Sequence, residues 1–200
     1  MLKFLAAPLI AISFAISAPA MAKNGFQTTV SEPLLTAVKV EVVVGEDLAY
    51  RANNLPRKTS ARTTSRRLNR GFESNGHYGD REIERLIAKL QTKIAIKFNK
   101  KGIEISDDAP TILRVTITDA IPNRPTFEQQ SRDVGLSLQS ISTGGAKIES
   151  ELIAADGRSL GTLNYSYYEN DIRDSQFGST WNDAYDAFRR YAHRAAKTLS

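Results

Sequence analysis

The sequence predicts an α+β fold: a two-layer sandwich in which a mixed, mostly antiparallel sheet of about six strands carries two helices on one face. Three patterns support this fold class. Apolar and polar residues alternate along several short segments, one long hairpin follows, and two segments carry apolar residues at helical spacing. Strands joined by short turns pair antiparallel, and the apolar stripes of the helices require one face of the sheet to cover them.

The hairpin occupies residues 144–168. Ala146, Ile148 and Leu152 share one parity, and the charged residues between them share the other, which is the pattern of a strand with one buried face. Asp156-Gly157 follows and supplies the positive φ angles of a tight turn. The return segment is rich in Tyr, Thr and Leu and therefore predicts the second strand.

Residues 80–102 predict the first helix, with Asp80 as its N-cap and Gly102 as its stop. Its apolar face holds Ile83, Leu86, Ile87, Leu90, Ile94 and Phe98. A last helix is predicted to begin near Thr180, with Asp183 close to the third position of a capping box. The apolar face of that helix holds Trp181, Tyr185, Phe188, Ala192, Ala195 and Leu199.

Four further strands are predicted from apolar alternation at 38–44, 103–105, 111–118 and 133–142. A helix separates the first of these from the next, so the first strand and the strand after the helix are expected to pair in parallel across a crossover.

The N-terminus has the features of a cleaved signal peptide. Lys3 precedes an apolar run, and residues 20–22 read Ala-Met-Ala, which predicts cleavage after Ala22 and a periplasmic or secreted protein. No later segment resembles a transmembrane span. We expect residues 1–22 to be the signal peptide, 23–37 a flexible leader, and 38–200 a single domain.

A long basic loop is predicted at residues 45–79 inside that domain. The segment from Arg51 to Arg70 holds seven basic and no acidic side chains, whereas the whole chain carries a net charge of +5. The candidates for binding an anion or a partner are Arg57, Lys58, Arg62, Arg66, Arg67 and Arg70. In an exported protein nucleic acid is a poor candidate for a partner, and an anionic envelope component or an acidic protein is a better one. The alternative is a solvated loop without a partner.

Catalytic signatures are absent from the sequence. It has no cysteine, and His77 and His193 are its two histidines, with no spacing typical of a metal site or a triad. The acidic loop at 169–174 lacks the pattern of a calcium loop. We therefore expect no enzyme, no metal and no cofactor. Tyr165, Tyr167, Tyr168, Trp181 and Phe188 predict either core packing or a groove for stacking a ligand.

The hairpin and the last helix resemble a family of bacterial envelope proteins, many of them lipoprotein-like, that is catalogued as domain of unknown function 3313. The residues that carry the resemblance are 144–160 and 181–192, within a match over roughly residue 38 to the C-terminus. The resemblance implies an envelope protein of this fold and implies no catalytic residue. This chain lacks the cysteine to which a lipid is attached.

The sequence therefore predicts an exported, envelope-associated interaction domain without enzymatic activity. The alternative is a small-ligand binder or an enzyme whose site is assembled from residues that are scattered along the chain.

Overall fold

The computed structural model describes residues 25–34, 36–56, 72, 76–175 and 178–200. The strands are β1 (Gly25–Thr28), β2 (Val38–Val44), β3 (Thr111–Ile121), β4 (Gly145–Ile153) and β5 (Ser159–Tyr168). The helices are α1 (Glu46–Asn53), α2 (Asp80–Asn99), α3 (Phe127–Arg132) and α4 (Asn182–Leu199), and a short 3-10 helix spans Ile172–Ser175.

The described strands form one mixed sheet in the order β1-β5-β4-β3-β2. β2 and β3 pair in parallel, and the other neighbours pair antiparallel. The α+β fold class is confirmed. α1 and α2 lie between β2 and β3 in the chain, so a parallel crossover is present, but the parallel partner of β2 is β3 and not the predicted strand at 103–105. The sheet of the described residues has five strands rather than about six.

The predicted hairpin is confirmed as β4 and β5. Ile148 lies opposite Tyr165, and the turn closes with a 2.9 Å hydrogen bond from the Ala154 N–H to the Arg158 carbonyl. Gly157 has a φ of 82°, a left-handed conformation that glycine adopts without steric cost. The turn chemistry therefore sets the register of the two strands.

The core lies between the sheet and the two long helices, α2 and α4. Leu86, Leu90 and Ile94 of α2 are fully buried, as are Val115 and Ile148 of the sheet. The opposite face of the sheet is polar and carries ion pairs such as Arg114 with Glu41. One face covered by helices and one face toward water is the two-layer arrangement that the alternation predicts. No helix of the described chain is both long and apolar enough to cross a bilayer.

α1 corrects the prediction that a structureless loop begins at residue 45. Glu46 and Asp47 occupy its first turn, where the positive end of the helix dipole favours acids. Leu48 and Ala52 are buried. The neighbouring Gly45, Asn54 and Pro56 suggested a loop, but packing of the apolar side of α1 overrides that local preference.

β1 corrects the prediction of a flexible leader at residues 23–37. Gly25–Thr28 pairs with β5, and Phe26 lies opposite Tyr165. Phe26 packs against the core. Four residues are too few to show a clear period in the sequence, which is why the strand was not predicted.

The predicted strand at 133–142 is wrong. Val134 and Leu138 are exposed, and the segment forms turns instead. The Asp133 carboxylate accepts a hydrogen bond from the Gly135 N–H at 2.9 Å, a local bond that competes with strand pairing. The predicted strand at 103–105 is reduced to one parallel bridge between Ile105 and Val38.

Candidate functional site

A groove of about 620 Å³ runs along the outer side of α4. α4 packs on β4 and β5, so the floor of the groove is formed by the end of the sheet beyond the helix. The groove is lined by Gly25, Phe26, Tyr165, Tyr167, Arg189, Arg190, His193 and Arg194. We call these eight residues the basic groove.

Helical periodicity places four basic side chains in one row on α4. The buried residues of α4 include Ala187, Phe188, Tyr191, Ala192, Ala195 and Ala196. The residues between them are exposed and recur four positions apart, namely Arg189, Arg190, His193 and Arg194. Small alanines bring the helix close to the sheet, so the row stands beside the tyrosines of β5.

One carboxylate is shared by two of these arginines. Arg189 Nε donates to Asp186 Oδ1 at 2.8 Å, and Arg190 Nε donates to Asp186 Oδ2 at 2.5 Å. Burial alone would raise the pKa of Asp186, but the hydrogen bonds and charges of the two guanidinium groups lower it below its ordinary value. Asp186 therefore stays ionised and balances one of the two positive charges.

Arg194 and His193 have no ion pair or hydrogen bond with any described residue. Burial raises the pKa of Tyr165 on the floor of the groove. The charges of Arg190 and Arg194 act against this rise, whereas the charge of Asp186 adds to it. The basic groove thus keeps cationic groups available for an anion, and Arg194 is the clearest of them.

Tyr167 supplies the polar part of the floor. Arg190 stacks over its ring at 4.6 Å from the centroid, a cation–π geometry. The Tyr167 hydroxyl donates to Glu169 Oε2 at 2.5 Å. Burial and that carboxylate both raise the pKa of Tyr167, so the phenol remains neutral. Glu169 places one acid at the rim of an otherwise basic surface.

A second charged cluster lies at the junction of α1 and β3, where Arg51 is buried and Asp119 is partly buried. Arg51 pairs with Asp119, and its Nη1 donates to the Tyr78 hydroxyl at 3.3 Å. Tyr168 donates to the other Asp119 oxygen at 2.6 Å. Burial works to lower the pKa of Arg51, but the charge of Asp119 prevails and the pKa rises. Arg51 therefore belongs to the folded body, although the sequence placed it in the predicted basic loop.

Asp183 holds several loops together. Its Oδ2 accepts hydrogen bonds from Asn123 Nδ2 at 2.5 Å and from the Gly144 N–H at 2.8 Å. The Asp183 N–H in turn donates to Asn123 Oδ1 at 2.9 Å. Asp183 therefore has a structural role that differs from the predicted capping box, and α4 begins at Asn182 without a side-chain cap.

The basic candidates predicted from the sequence, Arg57, Lys58, Arg62, Arg66, Arg67 and Arg70, lie outside the described residues. The aromatic candidates are divided by the structure. Tyr165 and Tyr167 line the groove, Tyr168 binds Asp119, and Trp181 and Phe188 are core residues.

The acidic loop at 169–174 makes local contacts, since Asp171 binds Arg173. The described residues contain no group of three His, Asp or Glu side chains placed to hold a metal. His77 donates its backbone N–H to the Asn54 carbonyl at 3.3 Å.

The row on α4 was missed by reasoning from the sequence. Its signal was present, because the polar positions of the last helix are basic at Arg189, Arg190, His193 and Arg194. Tyr165 and Tyr167, which share one parity on β5, indicated the aromatic part of the same groove. What the sequence could not supply was the position of α4 over β5, which depends on tertiary packing.

Fold and site together describe an α+β sandwich with a basic, partly aromatic groove beside its last helix. No family model matches the chain, and no curated protein matches it. The resemblance to domain of unknown function 3313 is therefore not confirmed.

Among solved structures, the chain is similar to two PelC dodecamers from Paraburkholderia phytofirmans. The identities are 12% and 10% and the TM-scores 0.44 and 0.42, over 88% of this chain and 97% of the PelC chain in both cases. It is also similar to a minor lipoprotein from Acinetobacter baumannii, at 10% identity and a TM-score of 0.32, over 80% of this chain and 91% of that one. Similarity at this level carries no statement about the function or assembly of this chain.

Proposed function

We propose that this chain is an exported protein of the bacterial envelope that acts by binding an anionic partner, an envelope component or an acidic protein, and not by catalysis. The observation that carries the proposal is the basic groove, in which Arg194 and His193 form no ion pair or hydrogen bond with a described residue. The planar guanidinium group of arginine can donate two parallel hydrogen bonds to a carboxylate or a phosphate group. The signal-like N-terminus at residues 1–22 supports the compartment.

The chemistry of the groove supports binding over catalysis. General base catalysis by a histidine requires a partner that orients the ring and a nucleophile beside it. His193 makes no hydrogen bond to any described side chain, and the Glu169 carboxylate is engaged by Tyr167. The groove thus contains basic groups that attract anions, and its described residues form no pair arranged for general acid–base catalysis.

The basic loop adds a second contact in this proposal. Arg57, Lys58, Arg62, Arg66, Arg67 and Arg70 would strengthen and steer the encounter with the same anionic partner. The groove residues and the loop residues can be substituted independently in the binding experiment.

The test is co-sedimentation of the purified protein with isolated envelope fractions over a salt series. A groove variant combines Arg189→Ser with Arg194→Ser. The control combines Lys100→Ser with Lys101→Ser, which removes the same charge from exposed positions after α2. We expect the groove variant to lose about tenfold in affinity and part of the salt dependence, and the control to bind like the wild type. An equal loss of affinity in both variants would show that binding depends on net charge alone and that the groove is not the binding site.

A third variant, with Arg62, Arg66, Arg67 and Arg70 replaced by Ser, measures the contribution of the basic loop. Export is tested separately. The expected mature protein begins at Lys23, as read by mass spectrometry of the periplasmic fraction, and a protein that keeps residues 1–22 in the cytoplasm would contradict it.

The alternative is a small-ligand binder or an enzyme. The volume of the groove, about 620 Å³, supports the small-ligand alternative, because it falls within the range of small-molecule pockets. Saturable binding of a small anion, without binding to envelope fractions, would select it.

A further inference from the structure

β1 forms one end of the sheet. It pairs with β5 on one side, and no strand of the described chain lies on its other side. A terminal strand leaves half of its backbone N–H and C=O groups without sheet partners, and these groups can pair with an added strand. β1 is also one of the elements that line the basic groove, through Gly25 and Phe26.

The register shows which backbone groups face outward. Thr29 N–H donates to the Thr162 carbonyl at 3.0 Å. Hydrogen-bonded and non-hydrogen-bonded pairs alternate along an antiparallel ladder, so the neighbouring pair of Thr28 with Leu163 is non-hydrogen-bonded, and so is Phe26 with Tyr165. The N–H and C=O groups of Phe26 and Thr28 therefore point away from β5.

The side of the sheet that Phe26 occupies is the side of α4. Phe26 lies opposite Tyr165, and cross-strand partners project to the same face. A residue of an added strand opposite Phe26 would project to that face as well. Because side chains alternate along a strand, every second residue of the added strand would face the basic row of α4.

We propose that the partner of the basic groove is an acidic polypeptide segment that adds to β1 as a sixth strand, with carboxylates at alternate positions facing Arg189, His193 and Arg194. This inference rests on the proposed function and specifies its ligand. Backbone pairing supplies affinity, and the alternate acidic side chains supply selectivity.

A polypeptide fits this site better than a glycan or a lipid headgroup does. All three can present anions to the arginines. Only a polypeptide in extended conformation can also pair with the alternating N–H and C=O groups of Phe26 and Thr28. The edge and the basic row lie along one groove, and an acidic strand satisfies both with a single repeat of two residues.

The test uses two octapeptides of the same composition and charge, with binding to the purified protein measured by fluorescence anisotropy. The alternating peptide repeats the glutamate-threonine pair, and the block peptide places all its glutamates before all its threonines. We expect the alternating peptide to bind about tenfold more tightly than the block peptide, since only its carboxylates all share one face. Arg194→Ser should weaken the binding of the alternating peptide by a similar factor.

A backbone variant separates strand addition from charge. Thr28→Pro removes the outward N–H without removing a bond to β5, and proline is tolerated on edge strands. Thr28→Val is the matched control, because it loses the same hydroxyl but keeps the N–H. We expect Thr28→Pro to weaken the alternating peptide about tenfold, and Thr28→Val to leave its affinity unchanged. Inorganic phosphate and an oligogalacturonate should bind both variants equally.

Hydrogen exchange on the wild-type protein gives a measurement that is independent of any variant. The amides of Phe26 and Thr28 should become protected when the alternating peptide binds. Equal binding of both peptides without this protection would overturn strand addition and leave an anion site. If the oligogalacturonate binds more tightly than the alternating peptide and Thr28→Pro does not change its affinity, the ligand is a glycan and not a peptide. If peptide, phosphate and oligogalacturonate all fail to bind, the proposed function fails as well.

Discussion

Two regions of this molecule use arginine in opposite ways. At the junction of α1 and β3, the side chain of Arg51 is 4% exposed and pairs with Asp119, whose side chain is 18% exposed. In the basic groove, the side chains of Arg189 and Arg190 are 51% and 46% exposed and share Asp186. Arg194 beside them has no acidic partner among the described residues.

This difference distinguishes charged residues that stabilise the fold from charged residues that are available for binding. A buried ion pair that loses one member leaves an uncompensated charge in the interior, so its main effect is on folding. An exposed, incompletely paired group contributes little to stability, and its charge remains available for binding. Three predictions test this contrast, beginning with the largest expected effect.

Asp119→Ala should destabilise the protein by about 3–5 kcal/mol, because it leaves Arg51 buried without its carboxylate and removes the acceptor of the Tyr168 hydroxyl. Denaturant unfolding of both proteins measures the change. Arg114→Ala, which breaks the exposed pair with Glu41, is the control and should cost less than about 1 kcal/mol. Similar losses in both variants would contradict the contrast between the two regions.

Asp186→Asn should change stability by at most about 1 kcal/mol but increase the affinity of the basic groove for anions. The physical reason is that Arg189 and Arg190 both lose the acid they share. Titration with the alternating acidic peptide measures the gain. Asp174→Asn, which removes the same charge from an exposed position outside the groove, should bind like the wild type. A lower affinity of Asp186→Asn would show that Asp186 orients the arginines more than it neutralises them.

The smallest effect is a pH dependence. The pKa of Asp186 is lowered in the folded protein, so its contribution to stability is present above the ordinary carboxyl pKa and is lost as the pH falls through the folded value. The urea midpoint of the wild type should therefore fall more steeply than that of Asp186→Asn between about pH 5 and pH 2. Parallel curves would show that the two guanidinium groups do not stabilise the ionised form.

Long periodic elements were predictable from the sequence, because their patterns repeat often enough to dominate local signals. α2 places its apolar residues on one buried face as expected, and the hairpin turn at Asp156-Gly157 is where turn chemistry requires it. The last helix was predicted for the same reason. Each of these elements has a local pattern that agrees with its tertiary environment.

The failures have a common cause, which is that short segments depend on partners distant in the chain. α1 is held by the buried Leu48 and by the pair of Arg51 with Asp119, although its flanking residues favour a loop. The segment at 133–142 alternates like a strand, but Val134 and Leu138 remain exposed. β1 forms because β5 offers it an edge. The basic groove combines residues far apart in sequence, so no local pattern could predict it.

The backbone bonds around α1 have a consequence for the basic loop. Tyr78 and Gly79 donate their N–H groups to the carbonyls of Arg51 and Ala52 at 3.1 and 2.8 Å. The described residues before and after the basic loop are thus joined by backbone hydrogen bonds at one place beside α1. Closure entropy grows only logarithmically, by about 0.6 kcal/mol for each doubling of a loop. A change in the number of residues between these anchors therefore alters the closure entropy of the loop only slightly.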